Sequence, residues 1–93
     1  MLTTYNEVDM TEILGIRKEF GERFIKKYEQ KLGMMSFFVK ACTIALKEYP
    51  VINASLDAND VVYHEFVDMG IAVSTDKGLM VPVVKNAESL NLA

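Results

Sequence analysis

The sequence predicts an α/β fold, and three observations carry that prediction. An apolar stripe at helical spacing runs from Ile13 to Tyr28, and a segment from Phe37 to about Tyr49 is apolar almost all the way round. Two apolar runs, Met69 to Val73 and Leu79 to Val84, flank the polar turn Ser74-Thr75-Asp76-Lys77-Gly78. The first two read as helices and the third as a pair of antiparallel strands. Both runs of the pair are apolar on both faces, so the hairpin is expected to be covered on each side or to meet another subunit. Pro82 has no N–H to give a ladder and is placed at an edge or a bulge.

Taken in order, Met1 to Val8 is rich in β-formers and reads as an edge strand. Asp9 and Glu12 have the spacing of a capping box, in which the Asp carboxylate accepts an early N–H and the Glu reaches back. Ile13, Ile16, Phe20, Phe24 and Tyr28 then form one face of a first helix, which Gly33 is expected to close with a positive φ. Gly15 and Gly21 each cost that helix up to about 1 kcal/mol relative to Ala, so packing has to hold it.

Ser36 is expected to cap the second helix and Pro50 to stop it. Only Lys40, Thr43, Lys47 and Glu48 interrupt its apolar girdle, the pattern of a helix central to a core. Val51–Leu56 and Val61–Phe66 read as strands about the tight turn Asp57-Ala58-Asn59-Asp60. Residues Asn86 to Ala93 read as the opening of another helix, broken off without a cap, as if the domain were truncated there.

Ninety-three residues allow one small domain or a piece of a larger one. An apolar share of 51% is high for so short a chain and implies a further cover, either more chain or more copies. A net charge of −3 argues against nucleic acid as a partner. No apolar run has the length of a membrane span, and no signal peptide opens the chain. One cysteine excludes a disulfide within the chain and a cysteine-rich zinc site, and with a single histidine no structural metal is expected. A reducing compartment is the expectation.

No catalytic constellation stands out. His64 is the only candidate general base. On a strand Asp68 lies on its side of the sheet but about 13 Å away, too far to orient the ring. Cys42, within the apolar helix, reads as a buried, inert thiol rather than a nucleophile. The six methionines read as pliable core filler. Arg17, on the flank of the first stripe, is either a paired surface cation or an anion contact whose fork suits a phosphate. Asp76-Lys77-Gly78 lacks the glycine density of a phosphate loop and reads as a turn.

The order of four motifs adds to this. Leu2-Thr3-Thr4-Tyr5-Asn6-Glu7-Val8-Asp9-Met10, Met35-Ser36-Phe37-Phe38-Val39-Lys40-Ala41, Val51-Ile52-Asn53-Ala54-Ser55-Leu56-Asp57, and Ile71-Ala72-Val73-Ser74-Thr75 with Gly78-Leu79-Met80-Val81-Pro82-Val83 follow one another. Together they resemble the lipoamide acyltransferases, the core components of 2-oxo acid dehydrogenase complexes. The opening motif looks most like the succinyl-transferring branch. The resemblance covers essentially the whole chain. It implies a two-layer α/β sandwich of the chloramphenicol acetyltransferase type, of which residues 1–93 would be the N-terminal part, with two helices on a mixed or antiparallel sheet. It also implies a homotrimer that assembles into a larger hollow core. A lipoyl domain and dehydrogenase subunits are the implied partners, with no nucleic acid and no membrane. The implied compartment is the cytoplasm, or the mitochondrial matrix in a eukaryote.

The implied reaction moves an acyl group, expected to be succinyl, from a dihydrolipoyl-lysine arm to coenzyme A without a metal. In the family a histidine of a His-Arg-x-x-Asp-Gly motif takes the thiol proton at a site between subunits. A hydroxyl from a later strand steadies the oxyanion. His64-Glu65-Phe66-Val67-Asp68-Met69 lacks that arginine and has Met69 where glycine belongs, so no catalytic residue is assigned and the fragment is expected to be inactive alone. What carries over is the coenzyme A side. Arg17 matches a family arginine that contacts the cofactor. Ser74 stands where a relative uses Asp, and Gly33 where a relative uses Ser, leaving Gly33 only its backbone groups to offer. The alternatives are a self-associating assembly module, which the apolar excess suggests, and, within the resemblance, an acyltransferase of acetyl or branched-chain specificity.

Overall fold

The computed structural model describes residues 2–93 and confirms an α/β arrangement of two helices and antiparallel hairpins. Helix α1 spans Thr11–Tyr28 and α2 spans Met34–Glu48. Strands β1 (Ala54–Asp57) and β2 (Asp60–Tyr63) form the first hairpin. Strands β3 (Met69–Gly70), β4 (Val73–Thr75), β5 (Gly78–Met80) and β6 (Val83–Val84) follow, and a 3-10 turn, Ala87–Ser89, comes last. All pairing is antiparallel, so the mixed sheet allowed by the sequence is not formed among the described residues.

Residues 2–8 carry no regular structure and lie exposed; the expected edge strand is not formed, and Met1 falls outside the described residues. Half of the capping box is realised. Asp9 Oδ1 accepts the Thr11 N–H at 3.0 Å and the Thr11 hydroxyl at 2.6 Å, but the N-cap position itself is Met10, without a side-chain bond. The hydroxyl bond first, and then the backbone bond, hold the Asp9 carboxyl below its ordinary value of 3.8.

Helix α1 closes earlier than expected. Glu29 takes the left-handed conformation, φ 57°, and its N–H reaches Ile25 O at 2.8 Å. Gly33 instead has φ −84° and ψ 160° and forms the extended N-cap of α2. Ser36 therefore lies inside α2 rather than at its start. Lys26 and Lys27 complement the negative end of the α1 dipole. Within the stripe Ile13, Phe24 and Tyr28 are half-buried, whereas Ile16 and Phe20 are exposed.

Helix α2 buries only Thr43, whose hydroxyl bonds back to Val39 O at 2.7 Å. Its girdle is not enclosed. Met35 is 55% and Ile44 53% exposed, and Cys42 is exposed rather than buried. The core of these residues is correspondingly thin, consisting of Leu32, Val67, Ala87 and Thr43.

The surface quantifies this. The chain exposes 8257 Å², where a compact monomer of its 10.5 kDa exposes about 5,400 Å². Its radius of gyration is 15.9 Å against about 12 Å for a closed domain of this length. The apolar excess of the sequence is thus realised as uncovered faces.

The hairpins follow their turns. Ala58 and Asn59 join β1 to β2, with Ala58 at φ 54°, and Val51–Asn53 is a turn rather than part of the strand. Strand β2 ends at Tyr63, short of the expected Phe66. The two ladders β3–β6 and β4–β5 share one register, so Ile71 falls opposite Pro82 without a bulge. Ile71 donates to Pro82 O at 3.1 Å. The reciprocal bond needs an N–H that proline lacks, and this interrupts the ladder. At the tip Gly78 takes φ 110°, which suits glycine, and the Thr75 hydroxyl bonds Gly78 O at 2.7 Å. After Asn86, φ 52°, a single 3-10 turn replaces the expected helix.

Candidate functional site

Three residues were expected on the coenzyme side, and they stand on three elements. Arg17 lies exposed near the middle of α1. Gly33 caps α2 with open space where a side chain would begin. Ser74 is exposed in β4, opposite Leu79. None of the three lines any of the cavities described below. These residues therefore form no closed site with one another.

Three concavities lie beside α2. One, of about 240 Å³, runs between the start of α2, the hairpin base and the C-terminal residues, and Lys40 is its charged member. Lys40 Nζ donates to Leu90 O at 3.1 Å, so the lysine ties α2 to the segment after the 3-10 turn. A second, of about 330 Å³, has Met35, Phe38 and Cys42 of α2 on one side and Met69–Ala72 on the other. It is apolar apart from the thiol. The third, of about 320 Å³, lies between the end of α2 and the first hairpin and includes Lys47, Tyr63, His64 and Glu65.

His64 is half-buried at the end of β2, its Nε2 2.9 Å from Ser55 Oγ and its ring centroid 5.4 Å from that of Phe66. Its hydrogen-bond partner is a hydroxyl on the neighbouring strand. Ser55 and His64 form a diagonal cross-strand pair, which fits a hairpin contact. Among the described residues no three His, Cys, Asp or Glu side chains gather as metal ligands, and no helix is long and apolar enough to cross a membrane.

The segment carrying His64 is held from two directions. Asn53 donates Nδ2–H to Phe66 O at 2.9 Å, and its own carbonyl accepts the His64 N–H at 3.4 Å. From the other side Asp68 Oδ1 accepts the Asn86 N–H at 2.9 Å, and Glu88 Oε2 accepts that of Val67 at 2.8 Å. The roles of Asn53, Asp68 and Glu88 could not be read from the sequence, because each acts on backbone groups far along the chain. Lys40 left one signal, as one of the few charges that interrupt the apolar girdle of α2.

Two helices beside antiparallel hairpins, with cavities along α2 and faces left uncovered, define part of an α/β core. Solved structures share this architecture. A probable dihydrolipoamide acetyltransferase from Listeria monocytogenes 4b F2365 superposes with a TM-score of 0.78 at 32% identity, over 91% of this chain and 36% of that one. A cubic core of a pyruvate dehydrogenase multienzyme complex gives 0.78 at 34% identity, over 91% and 35%. The family described as 2-oxoacid dehydrogenases acyltransferase (catalytic domain) matches residues 1–93, and the chain belongs to that family. It is 53% identical over 93 residues to the dihydrolipoyllysine-residue succinyltransferase component of the 2-oxoglutarate dehydrogenase complex of Haemophilus influenzae. That match covers 100% of this chain and 23% of the relative, so the chain spans about a quarter of the relative's length.

Proposed function

We propose that residues 1–93 form the N-terminal part of an acyltransferase catalytic domain that moves a succinyl group from a dihydrolipoyl-lysine arm to coenzyme A. The observation that carries this reading is the 53% identity, across the full chain, to a succinyltransferase of the 2-oxoglutarate dehydrogenase complex. In the transfer the coenzyme thiol loses its proton to a base and attacks the succinyl thioester carbonyl. The carbon–sulfur bond to the lipoyl arm then breaks, and the departing thiolate takes up a proton. No base for that step is assigned here, because His64 pairs with Ser55 rather than with an orienting acid.

The part these residues take is binding. Arg17 is a fork of donors for a coenzyme phosphate, Ser74 a hydroxyl, and the Gly33 peptide a backbone contact. The uncovered faces suit a homotrimer built into a larger core, with a lipoyl domain and dehydrogenase subunits as partners and no nucleic acid or membrane. The compartment is the cytoplasm, or the mitochondrial matrix in a eukaryote.

The test is succinyl-CoA formation from S-succinyldihydrolipoamide and coenzyme A. Full-length protein is expected to turn over and the 93-residue chain to be inert. Full-length protein that takes acetyl or branched-chain groups but refuses succinyl removes the acyl assignment. The exposed 8257 Å² also favours a second reading, a self-associating module without catalysis. Full-length protein that assembles yet transfers no acyl group would select it.

A further inference from the structure

The hairpin built from β3 to β6 bonds within itself at every second residue. Ile71 donates to Pro82 O at 3.1 Å, and in the shared register the same alternation makes bonded pairs of Met69 with Val84, Val73 with Met80 and Thr75 with Gly78. The residues between them, Gly70, Ala72 and Ser74, turn their N–H and C=O groups away from the hairpin. Among the described residues none of these groups has a backbone partner. From Met69 to Thr75 this outer edge carries no charge and no proline, the devices that keep a strand from pairing.

The edge also borders a groove. Met69, Gly70, Ile71 and Ala72 all line the cavity of about 330 Å³ beneath Met35, Phe38 and Cys42 of α2. Successive residues of a strand point to opposite faces, so a cavity lined by four in a row wraps the edge of the strand rather than one face. Peptide groups left unpaired beside apolar walls call for a partner with peptide groups of its own.

We infer that this edge receives a β-strand from the part of the full-length protein outside residues 1–93. The strand runs beside Gly70, Ala72 and Ser74 and fills the groove under α2 with apolar side chains at alternate positions. About five residues span the edge at ~3.4 Å per residue. Two observations point to the same chain as its source. Helix α2 roofs the groove, so the occupant lies inside the layer of helix and sheet, where a domain's own strand belongs. The Listeria core that shares this architecture is matched over only 36% of its length, which leaves ample chain to supply a strand. The inference does not depend on which acyl group is transferred.

Hydrogen exchange of the full-length protein, resolved to single residues by mass spectrometry, tests the edge. The Ile71 amide, bonded within the hairpin, is the internal reference. The Gly70, Ala72 and Ser74 amides are expected to exchange roughly a hundredfold or more slower than unprotected peptide. Exchange of Gly70 and Ala72 at the unprotected rate, beside a slow Ile71, overturns the proposal. Cys42 is expected to resist iodoacetamide in the folded protein and to react once it is unfolded; equal rates show the groove to be open and overturn its filling. Phe38→p-benzoylphenylalanine, in assemblies mixed from isotopically light and heavy chains, identifies the occupant. Photo-crosslinks are expected to join this position to residues outside 1–93 within chains of one isotope. Crosslinks between light and heavy chains give the groove to a second copy, and crosslinks to another protein give it to a partner; either result overturns the same-chain assignment.

Discussion

Val67 gives its N–H to the Glu88 carboxylate at 2.8 Å, while the Val67 carbonyl accepts the N–H of Ala87, next to that glutamate, at 2.7 Å. Val67 and Ala87 are both 4% exposed, so two of the few buried residues of the chain are clasped through backbone groups. The clasp fixes where the hairpin leaves the His64 segment and where the chain returns towards α2. Glu88→Ala leaves the Val67 N–H without a partner at a buried position, a loss of about 1–3 kcal/mol. Glu88→Gln keeps an acceptor and should lose less than half of that. Urea unfolding of the full-length protein checks the order, and equal midpoints for wild type and Glu88→Ala would refute the clasp.

Ala58 holds φ 54° in the turn between β1 and β2, a conformation that costs a residue with a Cβ roughly 1–2 kcal/mol. Glycine adopts it without that clash but loses more freedom on folding. Ala58→Gly is therefore expected to gain up to about 1 kcal/mol, seen as a higher denaturant midpoint at constant slope. A lower midpoint would mean that the entropy loss outweighs the relieved strain.

The Asp9 carboxyl is held below 3.8 by the Thr11 hydroxyl and then by the Thr11 N–H. A depressed folded value means that these bonds add stability above the unfolded value and lose it as pH falls through the folded one. Asp9 is fully exposed, so solvent screens the effect and local order is the better readout. The Thr11 amide resonance in a pH titration is expected to move with a midpoint below 3.8. Thr11→Val removes the hydroxyl and should bring that midpoint closer to 3.8. A midpoint already at 3.8 in wild type would show that the bonds do not form in solution.

What was legible in the sequence is what near neighbours decide. The spacing of Ile13, Phe24 and Tyr28 specifies α1, and Pro50 stops α2 just after Glu48. The polar cluster before Gly78 fixes the hairpin register, which runs through the Ile71–Pro82 position unshifted. What was not legible depends on surfaces. Cys42 and Met35 look like interior residues by type, yet they face a groove above Met69–Ala72 that nothing fills among the described residues. Gly33 misled because glycine serves equally as a helix terminator and as an N-cap, and Glu29 took the left-handed role first. The candidate site was legible only as residue types. Arg17, Gly33 and Ser74 sit on separate elements, and Lys40 emerges only once Leu90 has folded back beside α2.

Arg17 decides whether the coenzyme side of the proposed function is right. Its guanidinium stands exposed on α1, and nothing about the folding of these residues requires it there, so its replacement separates binding from stability. Arg17→Ala in the full-length protein is expected to raise the KM for coenzyme A by about tenfold or more, as loss of one charge-assisted phosphate contact would, with kcat little changed. Arg17→Lys keeps the charge but loses the planar fork, and should fall between the two. The thermal midpoint is expected to stay put, because exposed cations contribute little to stability. A KM unchanged by Arg17→Ala would leave the coenzyme to other residues, even if succinyl transfer itself is confirmed.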